Sequence, residues 1–284
     1  MATTDLEKDL APMSLGLDSY GAESEERNKD NLIHYQGELG DFWYDPNEFE
    51  VRKTSTAPPE GDDYRFLEEF YYLCYVGKGN SVSLPKGCIN TRLMFFRHKL
   101  PKGFKLVDFD TSNVIDMSEM FSGCEMSEDI SLGDQFDTSN VEDMHYMFYG
   151  CKFPAGFSLG GKFDTSNVIN MDSMFHKCEF PEGFNLGHKF DTSRVTGMVS
   201  MFSNCNLPKG FSLGHKFDTS NVIKMDYMFY GCTLPSGFTL GDKFNISNDT
   251  DMFFMFVHCD LTGDSTFANI PDVEAKISYL RRPR

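Results

Sequence analysis

A chain of 284 residues, 40% hydrophobic and 14% aromatic, carries enough apolar material for one large core or two ordinary ones, which excludes a wholly disordered protein. A formal charge of -17 and an isoelectric point near 4.7 argue against a general grip on DNA, RNA or an anionic membrane. They leave another protein, one with a basic surface, as the electrostatically favoured partner.

The charge divides the chain. Residues 1–63 hold 16 acidic and 5 basic side chains, a net of -11, whereas the remaining 221 residues have a net of -6. Residues 1–30 therefore read as an acidic, flexible arm, open to ordering on a partner. Next, GDFWYDPNEF at 40–49 gathers the single tryptophan with other aromatics: Phe42, Trp43 and Tyr44 are candidate partner-binding residues, or else part of a terminal cap. The run YRFLEEFYYLCYVG at 64–77 is too apolar for a linker and is expected to be a strand or short helix within a capping region spanning 31–82.

From there the chain repeats. FDTSNVIDMSEMFSGC begins at Phe109, and close copies begin at Phe136, Phe163, Phe190, Phe217 and Phe244, each 27 residues after the last. The second half of the unit recurs as FPAGFSLGGK, FPEGFNLGHK, LPKGFSLGHK and LPSGFTLGDK. A partial unit with Met94-Phe95 and LPKGFKL precedes them, and SLPKGCI at 83–89 reads as a degenerate coil, so the array is expected over 83–263. Within a unit Val168, Met171, Met174, Phe175 and Cys178 have the spacing of one helix face. Thr165, Ser166 and Asn167 stand where N-caps belong, and Pro181 follows where a helix would end. Phe184 and Leu186, alternating with a polar residue, then suggest a short strand. The tail PDVEAKISYLRR, with Val273, Ile277 and Leu280 on one stripe, is expected to fold as a helical cap over 264–284.

The expected fold is thus α/β: a leucine-rich-repeat-like right-handed solenoid with one short parallel strand and one helix per unit of about 27 residues, capped at both ends. The units F-D-T-S-N-V-x-x-M-x-x-M-F-x-x-C resemble the BspA-type leucine-rich-repeat family of bacterial surface, mobile-element and phage proteins. That resemblance implies a curved solenoid with a binding role.

Several ladders invite a chemical reading. Cys124, Cys151, Cys178, Cys205, Cys232 and Cys259 occupy one repeat position, but no C-x-x-C pair accompanies them, so free buried thiols are expected and not zinc. Twelve of the sixteen methionines form two more ladders and read as core. Asp110, Asp137, Asp164, Asp191 and Asp218 stack with helix amides and the lysines Lys162, Lys189, Lys216 and Lys243 as compensation. Calcium is the sharper reading but lacks the oxygen-rich, glycine-spaced turns it needs. With no Walker loop, dinucleotide fingerprint or H-E-x-x-H, no enzyme, cofactor or metal is expected. Small polar residues, from Lys105 and Ser131 to Thr239, should face outward between the strand Phe and Leu. The helix side is richer, because Tyr146, Tyr149, Tyr227 and Tyr230 lie outside the apolar stripe and are the candidate partner-binding anchors.

The leading functional expectation is a non-enzymatic, protein-binding scaffold. The alternatives are an acidic phage-type inhibitor that blocks a host nucleic-acid-binding defence complex, and a surface or virion adhesin. No apolar run reaches about 18 residues, and MATTDLEKDLAPMSLGL lacks the form of a secretory signal, so a cytoplasmic product is expected, or one that travels with a virion.

Overall fold

The computed structural model describes residues 32–53, 71–245 and 250–261. The acidic arm of 1–30, residues 64–70 of the apolar run and the 264–284 cap lie outside them.

β1 (Ile33–Gly37) and β2 (Gly40–Tyr44) form an antiparallel hairpin, and β3 (Phe49–Lys53) pairs antiparallel with β4 (Tyr71–Tyr75). Both pairs sit against the first coil. Gly40 bridges Cys88, the Ile89 amide donates to Leu39 O, and the Tyr75 amide donates to Met94 O at 2.9 Å. The buried Tyr75 ring meets Phe95 and Phe104 at 5.5 and 5.6 Å. Tyr71–Tyr75 is therefore the strand in the 64–77 run.

Beyond residue 80 the 27-residue units lie side by side. Parallel bridges join Asp116 to Asp143, Asp143 to Asn170, Asn170 to Gly197, Gly197 to Lys224 and Lys224 to Asp251. A second series joins Lys152 to Glu179, Glu179 to Asn206 and Asn206 to Thr233. Short parallel pairs close the two ends, β5 (Ser81–Val82) with β6 (Lys105–Leu106) and β7 (Thr233–Leu234) with β8 (Asp260–Leu261).

The unit differs from expectation in two respects. No α-helix occurs among the described residues, and the segments expected to be helical are chains of turns. The Met174 amide donates to Met171 O, His176 to Ser173 O and Cys178 to Phe175 O, each three residues back. The intervening amides leave the coil: Met171 donates to Gly197 O, Ser173 to Val199 O, Phe175 to Met201 O and Lys177 to Ser203 O. An α-helix requires every amide to bond four residues back along its own chain, so this alternation is incompatible with one. Positive φ at Ser173 (55°) and Lys177 (58°) recurs at the equivalent positions of the other units and breaks any helical path. The second correction concerns the strand. Phe157–Leu159 and its equivalents at 184–186 and 211–213 carry no strand, and the parallel pairing instead flanks the Met-Phe turns. Phe157 and Leu159 are still buried with Ser158 exposed, so the alternation reports side-chain direction without a ladder.

The interior is the apolar set read from the repeat. Val168, Met171, Met174, Phe175 and Cys178 are buried, as are their counterparts in the neighbouring units. Phe95, Phe121, Phe148, Phe175, Phe202, Phe229 and Phe256 form one column of stacked rings with centroids 5.2 to 5.7 Å apart. Offset stacking of this kind adds to the area each ring buries.

Two polar devices lock adjacent coils. Thr165 Oγ1 donates to Asp191 O at 2.8 Å and accepts the Asp191 amide at 2.7 Å, and Thr111, Thr138, Thr192 and Thr219 do the same one unit apart. Expected as a helix cap, this threonine instead clamps the next coil. The repeat cysteines act in the opposite direction. The Cys178 thiol donates to Phe148 O, Cys205 to Phe175 O and Cys232 to Phe202 O, all at 2.9 Å.

Candidate binding surface

The turn-forming side of the coils presents several columns of side chains. Residue types differ along each column, whereas the buried columns hardly vary. The first contains Leu93, Glu119, Tyr146, Ser173, Ser200, Tyr227 and Phe254, all non-glycine and all at positive φ between 55° and 59°. Positive φ is strained for bulky L-residues. The companion column four residues on admits glycine, at Gly123, Gly150 and Gly231. The first column carries side chains throughout, at a conformational cost of roughly 1 kcal/mol or more each. Sequence inspection had no signal for this strain, because it arises from turns that the helix reading concealed.

The tyrosines expected as anchors fall into two groups here. Tyr146 and Tyr149 are half-buried, with ring centroids 5.5 Å apart. The His176 ring stacks on Tyr149 at 5.0 Å, and Lys177 Nζ lies 5.8 Å above the same ring. Burial, together with the neighbouring Lys177 charge, pushes the His176 pKa down to about 4. Tyr149 therefore packs across the seam between coils. In the second group Tyr227 is 39% exposed and stacks on Phe254 at 5.1 Å, with Tyr230 at 5.6 Å from Tyr227. Phe253 and Phe254 are 54% and 37% exposed. Ile115, Ile169 and Ile223, at 45%, 38% and 57% exposure, stand two units apart in another column of this side. Their positions hold Glu142 and Thr196 in the intervening units, and that alternation was the signal available in the sequence.

The aromatic cluster of 42–44 divides. Phe42 is buried and stacks on Tyr35 at 5.1 Å, so it serves the hairpin core and offers no surface. Trp43 is half-buried and stacks on His34 at 4.7 Å, whose Nε2 lies 2.6 Å from Asp41 Oδ1. Tyr44 is half-buried against Phe42.

Charge on the turn side gathers near the first full coils. Arg92 pairs with Glu119 at 2.9 Å, and His145 Nδ1 lies 2.7 Å from Asp143, with Nε2 4.0 Å from Glu119. Burial opposes protonation of His145, but the hydrogen bond to Asp143 and the charges of Glu119 and Asp116 outweigh it and raise its pKa. Burial raises Asp116 despite the Ser118 hydroxyl and amide, and raises Asp172 despite the Val199 amide. This network ties three coils together. Among the described residues no group of three or more His, Cys, Asp or Glu is placed to hold a metal ion.

The opposite ladder of aspartates is satisfied locally. Asp110 accepts the Ser112 amide at 3.0 Å and Asp137 that of Ser139, so turn amides replace the expected helix amides. Lys162, Lys189 and Lys216 lie 3.5 to 3.7 Å from Asp137, Asp164 and Asp191, each 25 residues earlier in the chain. Burial works against ionisation of Asp137, Asp164 and Asp191, yet the serine and lysine partners hold their pKa values down. The small polar residues Ser131, Ser158, Asn185 and Ser212 are exposed as expected, and each accepts the amide of the glycine two residues on.

Stacked coils with an invariant interior and a varied turn face define a repeat protein. Two stretches, residues 88–180 and 155–267, match the family model described as "Mycoplasma protein of unknown function, DUF285". Together they cover more than half of the chain, which therefore belongs to that family. No curated protein and no solved structure matches it. Among the described residues no helix is long and apolar enough to cross a membrane.

Proposed function

We propose that this chain is a non-enzymatic scaffold of the BspA-type leucine-rich-repeat kind, a cytoplasmic solenoid that binds another protein through its turn face. The observation that carries the reading is the strained column. Bulky aromatics at Tyr146, Tyr227 and Phe254 occupy backbone positions where serine stands in other units and where glycine would relieve the strain. Tyr227 and Phe254 are exposed at these strained positions, strain of this kind clusters at functional sites, and large aromatics are the side chains that anchor protein interfaces.

The repeat itself supplies suitable test substitutions. Tyr146→Ser and Tyr227→Ser place at each site the residue found at Ser173 and Ser200. Affinity capture from host lysate, run in parallel with the wild-type chain, should recover a stoichiometric protein with the wild type and lose it with the double variant at unchanged circular dichroism. Equal recovery by both chains, or no stoichiometric protein with either, refutes the reading. The net charge of -17 supports a second reading, an acidic inhibitor occupying a basic nucleic-acid groove. It predicts capture that fades steeply between low and high salt and is competed by DNA or RNA.

A further inference from the structure

Backbone bridges between coils flank the Met-Phe turns, whereas residues 184–186 and 211–213 form none. The coils also stand further apart there. The parallel rings of Phe184 and Phe211 have centroids 6.5 Å apart, against 5.7 Å for Phe175 and Phe148 in the stacked column. Next along the chain, Gly187-His188-Lys189 in one coil lies beside Gly214-His215-Lys216 in the following one. Their register is pinned, because the Thr192 amide donates to Lys216 O at 3.2 Å and the Thr192 hydroxyl to Asp218 O at 2.8 Å.

His188 and His215 are therefore equivalent residues in consecutive coils, and both are exposed. Neither has a hydrogen-bonding or ionic partner among the described residues. The ammonium groups beside them are held by acids: Lys189 Nζ lies 3.6 Å from Asp164 and Lys216 Nζ 3.5 Å from Asp191. In the next coil the same position carries exposed Asp242, a further negative charge. Cations are thus not repelled from the two imidazoles.

We propose that His188 and His215 form a site for a divalent transition metal ion such as zinc, copper or nickel. The ion staples two coils through one nitrogen of each ring and leaves its remaining positions to water. A coil spacing near 6.5 Å at Phe184 and Phe211 is close to the separation of side chains four apart on a helix, roughly 5 to 6 Å. That helical spacing is the one by which histidine pairs hold zinc. Imidazole suits zinc, copper and nickel, whereas calcium and magnesium require oxygen. The pair escapes a search for local motifs because its two members are a full repeat apart. The site lies away from the turn face and does not depend on partner binding there.

The test is calorimetric titration of the full chain with zinc alone, together with urea unfolding. The wild type should bind zinc, and its urea midpoint should rise with the ion, because an ion joining two coils binds the folded chain. His188→Asn and His215→Asn should each weaken binding by roughly tenfold or more. His258→Asn, at an exposed histidine of another column, should leave it unchanged. Gly161→His extends the column by one coil at a position where an added Cβ meets nothing within 4 Å, and should tighten binding. Four results overturn the proposal: no zinc binding by the wild type, undiminished binding in either single variant, unchanged affinity in Gly161→His, or loss in His258→Asn, which would place the ion beside Cys259.

Discussion

Replacing Thr165 by valine tests the idea that the coils are clamped through their threonine hydroxyls. Valine has the same shape and is more apolar, so a core held by burial alone would accept it without loss. In this structure the hydroxyl makes two bonds to one residue of the next coil, donating to Asp191 O at 2.8 Å and accepting its amide at 2.7 Å. Each bond contributes about 1 kcal/mol, and each stranded backbone group adds a further penalty that is reduced because Asp191 is only half-buried. The sum is a destabilisation of about 2 to 3 kcal/mol. Thr165→Ser keeps both bonds and loses one methyl, at about 1 kcal/mol. Urea unfolding at neutral pH should therefore rank wild type above serine and serine above valine, with faster hydrogen exchange at the Asp191 amide in the valine variant. A valine variant as stable as wild type, or more stable than the serine variant, would refute the clamp.

The thiols offer a second check. In the native chain a thiol reagent should label Cys259, the half-buried member of the ladder, ahead of Cys151 and Cys205, whose pKa values burial pushes up to about 12. Equal fast labelling of all three would show the ladder to be open. Ser200→Gly should raise stability by about 0.5 to 1 kcal/mol, because glycine accepts the positive φ that serine holds there under strain; a fall in the urea midpoint would contradict that. The two half-buried histidines, His145 and His176, should titrate with opposite effect. The raised pKa of His145 contributes stability that is complete below the unfolded value, about 6.5, and is lost as pH rises through the higher folded value. His145→Gln should therefore cost most near pH 5 and least near pH 9. His176, pushed down to about 4, contributes stability that is present above the unfolded value and lost as pH falls through about 4, so His176→Gln should blunt the loss on acidification. Identical pH profiles for both variants and wild type would remove both assignments.

The period and the inward direction of Val168, Met171, Met174, Phe175 and Cys178 were legible in the sequence, because burial of one residue type at one repeat position depends only on register. The backbone path was not. Apolar residues at i, i+3, i+4 and i+7 suit a helix face, and they suit equally a chain of turns that returns to the interior every three or four residues. What separates the two is the destination of alternate amides such as Ser173 and Phe175, and that is the carbonyl of another coil 26 residues away. Tertiary structure likewise turned Thr165 from a helix cap into a clamp and drew Phe42 into the hairpin core. A single coil contains the donors and the side chains, but only its neighbour supplies the acceptors, so the period belongs to the sequence and the conformation within each period belongs to the stack.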